Sequence, residues 1–207
     1  MTTLPTALER RLHHRTGERA IPKGFETGER LRYTSGSGGE EVPGRKPPME
    51  VAWRTEMISE GFLQKYLYEH IPLSKAMGVE VLEATRNGVK LSAPLSPNIN
   101  HRETVFGGSA SAVAILSAWS LLYLRLKQEN MDSRIVIQRS TVTYEHPITD
   151  TFTASSVIRD PAAWLKFVDA LRRKNRARAI VHSTLHCNDR RVGEFEGEFV
   201  ALDTRAA

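Results

Sequence analysis

The sequence predicts an α+β domain in which a curved antiparallel sheet wraps one long central helix. Three observations carry this. First, Ala110–Leu124 is apolar or small nearly all round, through Ala112, Val113, Ala114, Ile115, Leu116, Ala118, Trp119, Leu121 and Leu122. A helix without a polar face must be covered on most sides. Second, runs of alternating or β-branched residues flank it on both sides, the pattern of strands. Third, Arg86-Asn87-Gly88 sits between two such runs, and Asn-Gly favours a tight hairpin. Ser and Ala on the helix let strands approach its axis.

Element by element, the order is helix, hairpin, long helix, then four strands. At 207 residues the chain exceeds the commonest domain size of about 100–150, which suits one domain with an extension. Residues 1–50 are expected to be a disordered basic tail. They carry Arg10-Arg11-Leu12-His13-His14-Arg15, the run Ser35-Gly36-Ser37-Gly38-Gly39, and Pro43, Pro47 and Pro48. Such a segment buries too little apolar area to offset its chain entropy. Residues 51–71 are expected to hold a helix packed on the domain. Within Glu56–His70, Met57, Ile58, Phe62, Leu63, Tyr66 and Leu67 recur at helical spacing. Pro72 ends it, because the residue before proline is pushed away from helical angles. This helix either packs over a sheet end or lines a channel.

Residues 72–204 form the main domain. Val79–Ala84 and Gly88–Leu95 make the hairpin. Beyond the central helix, Arg134–Pro147 is a long β-rich run ending at proline, and Thr151–Arg159 is a shorter strand. Pro161–Arg173 reads as a short helix with proline in its first turn, as an irregular hairpin connection, or as the extension of a strand. Ala177–Cys187 and Val192–Ala201 close the fold, joined by Asn188-Asp189-Arg190-Arg191. In the last strand Glu194, Glu196 and Glu198 alternate with Phe195, Gly197 and Phe199. One side packs and the other meets water or a partner.

Composition narrows the function. Lys and Arg number 29 against 24 Asp and Glu, a net charge of +5, which suits a phosphate-bearing ligand. The cluster Arg172, Arg173, Lys174, Arg176 and Arg178 is either a solvated turn or a phosphate contact. The aromatic-and-basic interleaving of an RNA-binding sheet is absent, so no nucleic-acid partner is expected. The single cysteine, Cys187, permits no intrachain disulfide and reads as a small core residue. It fits a reducing, cytoplasmic setting. The most apolar window, Ala110–Leu124, contains Ser111, Ser117 and Ser120 and is shorter than the roughly 20 residues a membrane span needs. No membrane association is expected. His182 and His186, four apart on a strand, lie too far apart for one metal, so no metal site is expected.

The most informative segment is Asn98–Ser109, NINHRETVFGGS. Polar side chains on a short loop run into Gly107-Gly108 and then the long helix. Free backbone N–H groups at a helix start stabilise anions and developing oxyanions. Gly107 and Gly108 are the natural donors there. Asn100 and His101 are the candidate catalytic side chains, since imidazole exchanges protons near neutral pH. The competing reading is a solvent-facing histidine and an asparagine that bonds its own turn.

Pro72–Leu202 resembles the hot-dog thioesterase domain of the YiiD C-terminal type. The matching stretches are IPLSKAMGVEVLEA, LSPNINHRETVFGGSASAVAILSAWSLLYLRL, RIVIQRSTVTYEHPITDTFTA and GEFEGEFVALD. In that family the domain is often fused behind an acetyltransferase. The segment before it here is too short for one and lacks an acetyl-CoA phosphate loop, so the resemblance implies only the thioesterase half. It implies a hot-dog fold and hydrolysis of an acyl-CoA or acyl-carrier-protein thioester. It also implies a homodimer or dimer of dimers, and no cofactor beyond coenzyme A as part of the substrate. In related hot-dog thioesterases an Asn or His on this loop orients water or the carbonyl. That gives Asn100 and His101 as catalytic, with Gly107, Gly108, Asn98, Thr104, Phe106 and Ser109 binding substrate.

One departure stands out. Many hot-dog thioesterases carry an Asp or Glu inside the central helix, about two turns past the glycines. Here no acidic residue occurs between Glu103 and Glu129. Either Asn100 and His101 position the water, or a carboxylate comes from elsewhere, with Glu103 and Glu145 nearest in sequence. Two alternatives follow: a non-catalytic acyl-thioester binding module, and a 3-hydroxyacyl thioester dehydratase or hydratase, whose helix carboxylate is likewise missing.

Overall fold

The computed structural model describes residues 59–204. The expected tail over 1–50, and the expected start of the first helix at Glu56, lie outside the described residues. The elements are α1 (Glu60–His70), α2 (Pro72–Ala76), β1 (Glu80–Ala84), β2 (Gly88–Ala93), a 3-10 turn (Ser96–Asn98) and α3 (Gly107–Gln128). They continue with β3 (Ser133–Tyr144), β4 (Phe152–Val157), α4 (Pro161–Lys174), β5 (Arg176–Cys187) and β6 (Arg190–Asp203). Among the described residues the strands form one antiparallel sheet in the order β1-β2-β4-β5-β6-β3. The sheet and its central helix are those of the hot-dog fold.

Ser59 caps α1, its Oγ accepting from Phe62 N at 3.2 Å. Leu63 and Leu67 are buried. Gln64 binds the outer edge of the sheet through its amide. Its Nε2 donates to Val79 O at 2.9 Å, and its Oε1 accepts from Val81 N at 2.7 Å. Tyr66 stacks on Tyr123, with centroids 4.6 Å apart, and Tyr68 donates to Val79 O. This helix packs rather than lining a channel. Pro72 stops α1 as expected, then sits at the first turn of α2, where its missing N–H costs nothing.

Two turns differ from expectation. Neither Asn87 nor Gly88 adopts positive φ, so the β1–β2 hairpin is not the left-handed turn its Asn-Gly pair suggests. Thr85 closes it: its N donates to Gly88 O and its Oγ1 accepts from Gly88 N. The left-handed pair is instead Asn188 (φ 50°) and Asp189 (φ 59°), joining β5 to β6 with Cys187 opposite Arg190. Both angles match a two-residue hairpin turn. Arg190 and Arg191 therefore belong to β6 and not to the loop. The open reading of Pro161–Arg173 resolves as a helix. Asp160 caps it, accepting from Ala162 N at 2.8 Å, and Trp164, Phe167, Val168 and Leu171 are buried at helical spacing.

Helix α3 is the spine of the domain. It is long and apolar enough to cross a membrane, and most of its most apolar stretch is buried inside the protein. Small residues face the sheet, and three buried serines link the layers. Ser117 Oγ donates to Val89 O at 3.0 Å, and Ser156 Oγ donates to Ser117 Oγ at 2.9 Å. Ser156 and Ser183 hydroxyls lie 2.5 Å apart, and Ser183 Oγ donates to Ala114 O at 3.1 Å. The hydroxyls of Ser117, Ser156 and Ser183 all have partners, so burying these three brings no unpaired group. Phe195 and Phe199 of β6 are 1% exposed and face the core. Glu194, Glu196 and Glu198 face the other way and meet Arg191, His182, and the pair Arg139 and Arg178.

The serine chain fixes how closely helix and sheet approach. Ser156→Val adds volume there and should cost about 1–3 kcal/mol by overpacking. Ser156→Ala loses hydroxyl bonds only and should cost about 1 kcal/mol. Urea denaturation of both variants checks the order, and a valine variant as stable as the alanine variant contradicts the close-approach account.

Candidate active site

The loop before α3 is built by its asparagines. Asn98 is 2% exposed, and its Nδ2 donates to Met77 O at 2.8 Å and Pro94 O at 2.7 Å. Its backbone carbonyl accepts from Phe106 N at 2.7 Å. Asn98 thus fastens the loop to the end of α2 and to the residue before α3. Asn100 closes the loop on itself. Its Nδ2 donates to Thr104 Oγ1 at 2.9 Å and Val105 O at 3.3 Å, while its Oδ1 accepts from Arg102 N at 2.7 Å. Its backbone N donates to Thr104 O. Its side chain is occupied within the turn.

Phe106 precedes α3 and provides no side-chain cap. Ser109 N and Ala110 N both turn back to Phe106 O, at 2.9 and 3.1 Å. The N–H groups of Gly107 and Gly108 have no acceptor among the described residues. A helix of 22 residues therefore presents open donors at its positive end. Phe106 is 59% exposed, and its ring occupies the space beside Gly108, where an added Cβ would stand 2.3 Å from Phe106 Cε1.

Beside this first turn lies a cleft of about 350 Å³. One wall is Thr104, Val105, Gly107 and Ala110. The other is the connection from β3 to β4: Tyr144, Glu145, His146, Pro147 and Ile148. Val105 N donates to Ile148 O at 2.8 Å and joins the two walls. The β3 end is held against β6 by Glu145 N and His146 N, both donating to Val192 O. Gly193 permits this, since an added Cβ would stand 2.5 Å from the Thr143 carbonyl oxygen.

The cleft is polar on its strand side. Tyr144 hydroxyl donates to Gly107 O at 2.5 Å, and burial raises the phenol above its ordinary value. Glu145 is held by Arg191 Nη2 at 2.6 Å, and Arg191 also reaches Glu194 at 3.0 Å. Arg190 Nη2 lies 2.6 Å from His146 Nε2. Consecutive arginines at the hairpin tip thus hold consecutive side chains of the cleft.

Of the residues expected from sequence, Thr104 and Gly107 line the cleft. Gly108 and Ser109 complete the first turn, and Asn98 and Asn100 frame the loop. His101 is exposed, forms no hydrogen bond among the described residues and does not line the cleft. Of the two carboxylates nearest in sequence, Glu145 lines the cleft. Glu103 sits exposed at φ 60° outside it. Tyr144, His146, Arg190 and Arg191 escaped the sequence reading. The available signal was the β-rich run ending at His146-Pro147, where a strand must leave the sheet. In the basic cluster, Arg172 pairs with Glu129, Arg173 with Asp169 and Arg178 with Glu198. Cys187 is buried, as a small core residue should be.

The model of the family described as "Putative thioesterase (yiiD_Cterm)" matches residues 60–203. Among solved structures, a protein of unknown function from Chlorobaculum tepidum is similar at 25% identity and TM-score 0.67, covering 72% of this chain and 99% of its own. A structure titled as a putative thioesterase from Shewanella oneidensis is similar at 26% identity and TM-score 0.63, with the same coverage. A thioesterase from Haemophilus influenzae shares the fold at 10% identity and TM-score 0.56, covering 70% of this chain and 91% of its own.

The asparagine anchor is separable from chemistry. Asn98→Ala removes the donor to two carbonyls and should destabilise the protein by about 1–3 kcal/mol in urea unfolding. Asn98→Asp should cost more, because a buried carboxylate cannot donate. A neutral effect of both would remove Asn98 from the loop's framework.

Proposed function

The chain belongs to this YiiD C-terminal thioesterase family, and from that premise we propose that it hydrolyses an acyl thioester carried on coenzyme A or on an acyl carrier protein. The observation that carries the reading is the pair of open N–H groups at the start of α3, beside a cleft that holds Glu145. The thioester carbonyl oxygen is bound by the N–H groups of Gly107 and Gly108. Charge develops on that oxygen as the carbonyl is attacked, so donors fixed in advance at a helix start lower the barrier.

The carboxylate missing from α3 is supplied by the β3–β4 connection. Glu145 takes the proton of the attacking water, and Arg191 keeps the carboxylate in place. Asn100 is a positioning residue that keeps the loop folded and so sets the direction of the open N–H groups. His101 has no part in this scheme. No cofactor is required, and coenzyme A enters only as the leaving half of the substrate.

The working form is a homodimer, alone or paired into a dimer of dimers. Among the described residues β3 is an edge strand of 12 residues with Val136, Ile137 and Tyr144 exposed. A long open edge of this kind pairs readily with a second copy, and symmetric pairing closes both edges at once.

A second reading, an acyl-thioester binding module without turnover, is favoured by one observation: α3 carries no Asp or Glu from Gly107 to Gln128. Thiol release from a panel of acyl-coenzyme A substrates separates the two. Glu145→Gln should lower kcat by about 100-fold or more, with His101→Ala staying within about threefold of the parent. The reverse ranking moves the base to His101, and binding without thiol release by the parent protein favours the binding module.

A further inference from the structure

Among the polar cleft residues that the scheme with Glu145 and the two N–H groups leaves unused, Tyr144 is bonded to the first turn of α3. Tyr144 ends β3, and the register that places Tyr144 opposite Gly193 brings its ring over the first turn of α3. The hydroxyl donates to Gly107 O, and an added Cβ on Gly107 would stand 3.3 Å from that hydroxyl oxygen. The Gly107 carbonyl also has the ordinary acceptor role of a helix residue toward the amide four positions on. Two lone pairs serve the two donors. The phenol's bond is therefore an additional one, and releasing it strips no protein group of its partner.

We propose that Tyr144 is a catalytic residue: its hydroxyl turns from the Gly107 carbonyl to the carbonyl oxygen of the bound thioester and becomes the third donor to the oxyanion. This rests on the thioesterase reading above. Water adds through its oxygen to the carbonyl carbon while its proton passes to Glu145. The carbonyl π pair moves onto oxygen, where Gly107 N–H, Gly108 N–H and Tyr144 O–H receive it. The pair then returns, the C–S bond breaks, and the departing thiolate takes the proton from Glu145. The products are a carboxylic acid and a thiol. Tyr144 keeps its proton throughout, and burial favours that, since it disfavours the phenolate.

Placement supports this role over a packing role. Tyr144 lines the cleft, and its hydroxyl is joined to the same residue, Gly107, that offers an open N–H. Phenylalanine preserves the ring contact with Gly107 and removes the donor alone. A donor used only as charge develops strengthens the transition state and leaves ground-state binding unchanged.

The test compares the full chain with Tyr144→Phe on butyryl- and octanoyl-coenzyme A, following thiol release and thermal unfolding. The expected result is a fall in kcat of about 10- to 100-fold with KM and Tm nearly unchanged, the signature of a lost oxyanion donor. An active parent with an equally active Tyr144→Phe variant overturns this inference and leaves the thioesterase reading standing. So does a variant whose loss lies in KM or Tm with kcat retained. An inactive parent overturns both.

Discussion

The close approach of α3 to the sheet is the constraint on which the rest of the structure depends. A helix apolar on nearly every side has no stable place except inside, and a sheet can wrap it only where side chains are small. Ala114, Ser117 and Ala118 on the helix, with Ser156 and Ser183 on the strands, are fully or almost fully buried. Their hydroxyls resolve the conflict between close packing and polar burial, because each bonds a neighbouring hydroxyl or a backbone carbonyl. Leucines in their place would push the layers apart. With the helix axis held in the sheet's concavity, its first turn emerges beside the end of β3 and the start of the β3–β4 connection. The site is where the spine ends.

That end is left open at some expense to stability. A helix start normally recruits Ser, Thr, Asp or Asn to bond its free N–H groups, worth about 1 kcal/mol. Here the position is Phe106, whose side chain bonds none of them, although Asp160 caps α4 and Ser59 caps α1 in the ordinary way. The same chain thus caps α1 and α4 with side chains and leaves uncapped the short α2, which begins with proline, and the long α3 beside the cleft. The surrounding loop compensates: Asn98, Asn100 and the Ile99–Val105 bridge fix the backbone that leads into the turn. Rigidity comes from the loop and the donors remain open, as a preorganised oxyanion site requires.

The sequence made the spine, the strands and the loop-to-helix junction legible, because each is a local pattern. Period two in GEFEGEFV gave the buried and exposed faces of β6 correctly. Apolar residues all round 110–124 gave the central helix. What escaped depended on partners far away in the chain. Tyr144 meets Gly107 across 37 residues and Arg191 meets Glu145 across 46, and no local signal encodes a register of that range. Turn chemistry misled in a specific way. Asn-Gly at 87–88 forms a turn closed by the Thr85 hydroxyl, while Asn188-Asp189 forms the left-handed one, because the strands' register and not the dipeptide alone selects the backbone. Assigning Arg190 and Arg191 to a loop concealed that they are the strand residues that hold the cleft.

In the proposed scheme the carboxylate stands at a strand end and not in the central helix, which changes what keeps it in place. A side chain inside α3 would be oriented by the helix itself. Glu145 is oriented by contacts that converge from elsewhere: its N–H bonds Val192 O, its carboxylate bonds Arg191, and Arg191 is steadied by Glu194. All three partners lie on one short stretch of β6, whose reach is set by the two-residue turn at Asn188-Asp189. The glycine at 193 lets β3 come close enough for those bonds to form. The geometry of the Glu145 carboxylate thus depends on the β5–β6 hairpin, and that of the open N–H groups on α3. The two meet through Val105 N to Ile148 O and Tyr144 to Gly107 O. Of these two links only the tyrosine's hydroxyl can be released without unmaking backbone structure. The same bond that joins the walls of the cleft is the one most easily given to a substrate.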